Sequence, residues 1–166
     1  MKNLLIMRHA KSAYPPDVTD DFDRPLNGRG QKDAPRVARL LRAFGPTPER
    51  IVSSPAIRAR ETAEVVIACL ESSTDFLSFD ERLYLASTDV LNQVACELSD
   101  ALSSVLIVAH NPGMEQWIGR LCGGNVRMPT AGLAAIELPI SRWIDVERVR
   151  GQLQWLVIPR LIKAIT

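Results

Sequence analysis

The sequence predicts an α/β domain, a three-layer α/β/α sandwich around a mostly parallel central sheet. Three observations carry this. Leu4 to Met7 and Ser104 to Ala109 are short continuous apolar runs without alternation, as expected of strands buried on both faces of a parallel sheet. Between such runs, apolar residues recur at helical spacing: Val37, Leu40, Leu41 and Phe44 at i, i+3, i+4 and i+7, and Met114, Trp117, Ile118, Leu121 and Cys122 with an added i+8. Strand and helix patterns alternate along 166 residues, the usual size of one globular domain, so residues 1–166 are read as a single domain.

Each element has its own warrant. After the first strand, the polar stretch from Asp17 to Lys32 contains Pro25, Asn27, Gly28 and Gly30 and reads as a surface loop beside whatever site the strand supports. The helix ending at Phe44 either starts near Asp33 or is kinked at Pro35, because proline cannot donate the helical hydrogen bond. Arg50 to Ser53 is a strand, Pro55 opens a helix over Ala56 to Leu70, and Phe76 to Phe79 is a weaker strand. Thr88 to Leu102 is a helix capped by Ser87 or Thr88. The helix around Met114 to Cys122 leads to a strand at Leu133 to Leu138. Pro139 to Gly151 is a short excursion before the last strand, Gln154 to Ile158. Right-handed crossovers with helices on both faces are the expected connection.

Composition narrows the function. Hydrophobic residues at 46% and charged residues at 23% argue against disorder, a fibrous repeat or a small disulfide scaffold. Twenty basic and nineteen acidic residues leave a net charge of +1, which gives no bulk field to hold nucleic acid or an anionic membrane. Any anion site must therefore be local. Cys69, Cys96 and Cys122 form no CxxC pair or zinc signature and read as small buried hydrophobes. The N-terminal apolar run is too short for a signal peptide, and no run reaches membrane-spanning length, so a cytoplasmic protein is expected.

The chain has two histidines, and both directly follow a central strand: His9 after Leu-Leu-Ile-Met-Arg and His110 after Val-Leu-Ile-Val-Ala. Ligands of open parallel sheets bind outside the carboxyl ends of the strands, so two strand-end histidines mark a candidate site. Arg8-His9-Ala10-Lys11-Ser12 adds a guanidinium and the Ser12 hydroxyl at the same place, and a guanidinium binds phosphate oxygens in bidentate fashion. Ser53-Ser54-Pro55-Ala56-Ile57-Arg58 runs from a strand end into a helix start, placing Arg58 and free helical amides at that rim. Arg60 and Glu61 read as a solvated surface pair. A histidine between two arginines has its cation disfavoured by like charge and stays neutral and nucleophilic. No HxH, HExxH or acidic cluster signals a metal, and no cofactor is expected.

These motifs, with Asp23-Arg24-Pro25-Leu26, His110-Asn111-Pro112-Gly113 and the tail from Trp155 to Pro159, resemble the histidine phosphatase superfamily, specifically its short SixA-like branch of phosphohistidine phosphatases. The resemblance implies a phosphoglycerate mutase-like fold without a large cap. It implies that His9 becomes phosphorylated, that Arg8, Arg58 and His110 hold the phosphoryl oxygens, and that Arg24 guides substrate at the pocket edge. Two departures stand out. Ala10 replaces the usual glycine of the Arg-His-Gly motif. In Asp80-Glu81-Arg82-Leu83-Tyr84-Leu85, Leu85 stands where related phosphomonoesterases commonly carry a general acid, leaving Glu81 or Asp80 as the nearest substitutes. Without that acid, alkoxide leaving groups become poor and the activated P–N bond of phosphohistidine is favoured. The expected substrate is a phosphorylated protein handled by a monomer, with a phosphomonoesterase for a small phosphorylated metabolite, or a noncatalytic phosphate-binding module, as alternatives.

Overall fold

The structure is a computed structural model that describes residues 1–165. Six strands form one sheet: β1 (Lys2–Arg8), β2 (Arg50–Ser53), β3 (Leu77–Phe79), β4 (Ser104–Ala109), β5 (Leu133–Leu138) and β6 (Gln152–Val157), in the order β3-β2-β4-β1-β5-β6. β1, β2, β3 and β4 pair in parallel; β5 is antiparallel to both β1 and β6, so it alone runs against the rest. Every residue of β4 is buried, as its unbroken apolar run requires of a strand covered on both faces.

Among the described residues, five α-helices cover the sheet: α1 (Gly28–Phe44), α2 (Ile57–Cys69), α3 (Thr88–Cys96), α4 (Gly113–Cys122) and α5 (Pro159–Ile165). Val37 and Leu41 of α1, Ala59, Ala63 and Val66 of α2, and Ile162 of α5 pack with Leu5, Met7, Leu106 and Val108 on one face. Leu91 and Val94 of α3 and Met114, Trp117 and Ile118 of α4 pack with Leu4, Ile6, Val105 and Ile107 on the other. Alternate residues of β1 and β4 thus serve opposite layers, the period-two rule of a strand. The chain travels outward through α1 and α2 and returns through α3, which places these helices on opposite faces, as crossovers of one hand demand.

Several boundaries differ from expectation. Residues 28–32 are not loop but the first turns of α1, capped by the Asn27 side chain, which accepts from Gly30 N–H at 2.9 Å. A Cβ at Gly30 would lie 2.2 Å from the Lys11 carbonyl oxygen, so glycine lets this turn press against the loop after β1. Pro35 lies inside α1. α3 stops at Cys96 rather than Leu102, although Ser87 caps it as expected. Pro55 precedes α2, whose N-cap is Ala56. The excursion after β5 contains a 3₁₀ helix, Trp143–Arg148, whose Trp143 is fully buried. The seven-residue α5 was not expected. The three cysteines are free and half-buried against the core edges, not fully inside. Among the described residues, no helix is long and apolar enough to cross a membrane.

Candidate active site

The register of β1 on β4 pairs Arg8 with Ala109, so the next residues along each strand, His9 and His110, emerge side by side at the carboxyl edge with ring centroids 5.0 Å apart. They line a cleft of about 330 Å³ together with Arg8, Ser12, Arg24 and Arg58. Six of the seven site residues singled out from sequence therefore converge. Glu81 does not: it is exposed in a 3₁₀ turn and lies outside the cleft lining. Asp80 is held by Arg82, whose hydrogen bonds lower its pKa, and is a poor proton donor.

His9 Nδ1 lies 2.7 Å from the Ala10 carbonyl oxygen, which can only accept. The ring proton therefore sits on Nδ1 and the lone pair on Nε2. Arg58 Nε–H donates to that Nε2 at 3.3 Å. The His9 pKa is pushed down to about 4, chiefly by burial and further by Arg58, Arg8 and Arg24, against the opposing hydrogen bond to Ala10. The neutral ring expected from arginine repulsion is thus present, with desolvation as the larger cause. His110, pushed down to about 3 mainly by burial and then by His9 and Arg58, is also neutral at pH 7. Its Nε2 is 2.8 Å from Ser54 Oγ, and its Nδ1 has no hydrogen-bond partner among the described residues.

The arginines are held from behind. Arg8 Nη1 donates to Met128 O at 3.1 Å, beside Asn111 Nδ2 at 2.9 Å, and the Glu115 carboxylate anchors that loop by accepting from Met128 N–H at 2.6 Å. Arg8 Nε and Asn111 Oδ1 are buried without hydrogen-bond partners among the described residues. Arg24 donates through Nε to Ala13 O at 2.9 Å and through Nη2 to Ser12 Oγ at 2.5 Å, and its guanidinium stacks on Tyr14. Ala10 N–H donates to Thr62 Oγ1 at 3.0 Å, so the small residue at position 10 sits tightly against α2. Arg60 and Glu61 are not a pair: Arg60 stacks over Phe79, and Glu61 accepts from Leu26 N–H at 2.7 Å, bracing the loop over the site.

Sequence reasoning missed Asp21. Its carboxylate accepts from Arg58 Nη2, Arg24 Nη1 and Tyr84 Oη, each at 2.8 Å, and its carbonyl accepts from Arg58 Nη1 at 2.5 Å. Partial burial pushes its pKa up, but the hydrogen bonds from Tyr84, Arg24 and Arg58 win and hold it well below the usual carboxylate range. The acidic loop from Asp17 to Asp23 was the one available signal. Lys11, Tyr14, Thr130 and Leu85 also line the cleft. Leu85 adopts a left-handed φ of 49° and is exposed, so an apolar side chain occupies the rim where a general acid was looked for. Among the described residues no group of three or more His, Cys, Asp or Glu side chains could hold a metal ion.

Two neutral imidazoles among guanidiniums, at the carboxyl edge of a mixed six-stranded sheet, form a phosphate-binding cleft of the kind a phosphatase needs. The sequence profile of the histidine phosphatase superfamily (branch 1) matches residues 4–84, and the chain belongs to this superfamily. It is 32% identical over 167 residues to the uncharacterized protein ML1117 of Mycobacterium leprae, covering 93% of this chain and 100% of that one. It is 26% identical over 168 residues to the phosphohistidine phosphatase SixA of Escherichia coli strain K12, covering 98% and 99%. A solved structure of the protein histidine phosphatase SixA complexed with tungstate superposes with a TM-score of 0.82 at 25% identity, covering 96% of this chain and 99% of that one.

Proposed function

We propose that this phosphatase dephosphorylates phosphohistidine in a protein through a phosphorylated His9. The observation that carries the reading is the His9 ring itself: neutral, with its proton fixed on Nδ1 by Ala10 and its Nε2 lone pair in a cleft with three arginines. In the first step Nε2 attacks phosphorus, the P–N bond to the substrate imidazole breaks, and the departing nitrogen keeps the electron pair. In the second, water attacks phosphorus, the P–Nε2 bond breaks, and inorganic phosphate leaves. Arg8, Arg58 and the single N–H of neutral His110 hold the phosphoryl oxygens, whose charge they stabilise in the transition state. Arg24, positioned by Ser12, guides substrate at the rim.

The apolar rim at Leu85 favours phosphohistidine over alkyl phosphates. Transfer between two imidazoles is nearly balanced in energy and needs no strong acid, whereas an alkoxide must be protonated as it leaves. The test is turnover of a phosphohistidine protein, an aryl phosphate and a panel of metabolite phosphates side by side, with trapping of the intermediate. Preference for the phosphohistidine protein, with an acid-labile and alkali-stable adduct on His9, is the expected result. Preference for a metabolite phosphate supports the small-substrate alternative; binding without an adduct supports a noncatalytic module.

A further inference from the structure

A second cleft, of about 490 Å³, opens between α1 and α5. Arg29, Lys32 and Arg36 of α1 and Arg160 and Lys163 of α5 line it, and among the described residues lining it Asp33 is the one carboxylate. Asp33 is buried and already engaged, accepting from Arg29 Nε at 3.3 Å and Arg36 Nη1 at 3.1 Å. Among the described residues, no ion pair or side-chain hydrogen bond engages Lys32, Arg160 or Lys163. Five cations in one cleft, in a chain of net charge +1, form a strongly positive concavity that a partner's anions can neutralise.

Its placement ties it to catalysis. β6 runs in the same direction as β1, so α5 starts at the sheet edge that carries His9 and His110, and α1 starts there too. The two clefts share a wall. Lys11 and Ser12 line the active cleft, Gly28 lines the basic one, and Asn27 N–H donates to the Lys11 carbonyl at 2.9 Å between them. A small phosphorylated molecule held at His9 stays on one side of that wall, whereas a protein presenting a phosphoryl group to His9 extends across it. The basic cleft has no aromatic side chain on which a base could stack, so it suits carboxylates better than single-stranded nucleic acid.

We infer that the α1–α5 cleft docks an acidic segment of the phosphoprotein substrate; this rests on the phosphohistidine reading above. The test is the triple variant Lys32→Glu, Arg160→Glu, Lys163→Glu, which leaves the Asp33 pairs and every active-cleft residue in place. Kinetics use a histidine phosphotransfer domain with an acidic surface, phosphorylated with phosphoramidate, and an aryl phosphate as the small substrate. The expected result is a KM for the phosphoprotein raised by on the order of tenfold, with a flattened salt dependence and unchanged aryl phosphate kinetics. Equal phosphoprotein kinetics in variant and wild type, or an equal loss on both substrates, overturns the proposal.

A binding titration with a fluorescein-labelled Glu/Asp decapeptide separates this proposal from the reading beneath it. If wild type hydrolyses the aryl phosphate but not the phosphoprotein, the phosphohistidine reading fails. Decapeptide binding that is lost in the variant and insensitive to inorganic phosphate still supports an acidic docking cleft, and equal binding by both proteins refutes it. Tighter binding of a labelled RNA decamer than of the decapeptide, lost in the same variant, also overturns the assignment.

Discussion

Acidification probes His9 directly, because the chain has two histidines and both lie in the cleft. An unperturbed imidazole with a pKa near 6.5 is about 97% protonated at pH 5, whereas one held at about 4 is roughly 9% protonated there. The neutral, nucleophilic fraction at pH 5 therefore differs about 30-fold between the two cases. Proton NMR of the two ring Cε1–H signals reads this without substrate, and both midpoints should fall below pH 5; because the rings interact, the midpoints belong to the pair. Single-turnover phosphorylation by an aryl phosphate, corrected for the substrate's own ionisation, should hold between pH 7 and 5. A midpoint at or above 6 on either ring would refute burial as the controlling effect.

The same shift has a thermodynamic counterpart. The native pKa of His9 lies below its unfolded value, so the unfolded chain binds the extra proton as pH falls from 6.5 toward 4. The stability associated with the neutral ring is thus complete above 6.5 and is lost through that window. A shift from 6.5 to about 4 corresponds to about 3 kcal/mol at full acidification, most of it gone by pH 4.5. His9→Gln removes the titration, so urea melts at pH 7 and 4.5 should show a smaller acid loss in the variant than in wild type. An equal loss in both would contradict the assignment.

His9→Ala should abolish turnover and the trapped adduct while retaining the circular dichroism spectrum, with a stability change within about 2 kcal/mol at pH 7. Residual activity near wild type would remove His9 as nucleophile. Aryl phosphates should exceed alkyl phosphates in kcat/KM by roughly 100 to 10,000-fold, since Leu85 supplies no proton. A flat dependence on leaving-group pKa, with chemistry shown to be rate-limiting, would reveal a donor. Asp21→Asn should tighten inhibition by inorganic phosphate by on the order of tenfold, because an anion competing for Arg58 and Arg24 is gone. Unchanged or weaker inhibition would show that Asp21 instead orders the arginines for phosphate.

How much was legible depended on where the controlling contacts lie. The β4 run and the two strand-end histidines were readable because burial on both faces leaves a continuous apolar signature, and because a parallel register brings equivalent strand ends together. The start of α1 was not readable. Gly28, Gly30 and Pro35 are weak helix formers that mask the local Asn27 cap, and the close approach of Gly30 to Lys11 that favours them is tertiary. α5 is too short to show a period and buries only Pro159 and Ile162. Asp21 was hidden for an electrostatic reason. An acid in a phosphate site runs against charge complementarity, and its contact with Arg58 spans 37 positions in sequence.

Asp21 nonetheless fits the chemistry of a cleft that must exist without substrate. Three guanidiniums crowd the His9 ring in the cleft, and two of them share this carboxylate. In that state Arg58 Nε–H points at the lone pair of His9 Nε2, so that lone pair is covered. A phosphoryl group entering the cleft offers Arg58 charged oxygens, stronger acceptors than a neutral imidazole. In the proposed mechanism Arg58 exchanges Nε2 for oxygen, and the lone pair is freed where phosphorus is in place to receive it. In the same proposed mechanism, competition from Asp21 for Arg58 and Arg24 limits how tightly product phosphate is held after the second step. On the proposed function, one arginine shared between a carboxylate and an imidazole couples binding to activation, in a site where neither histidine carries charge at neutral pH.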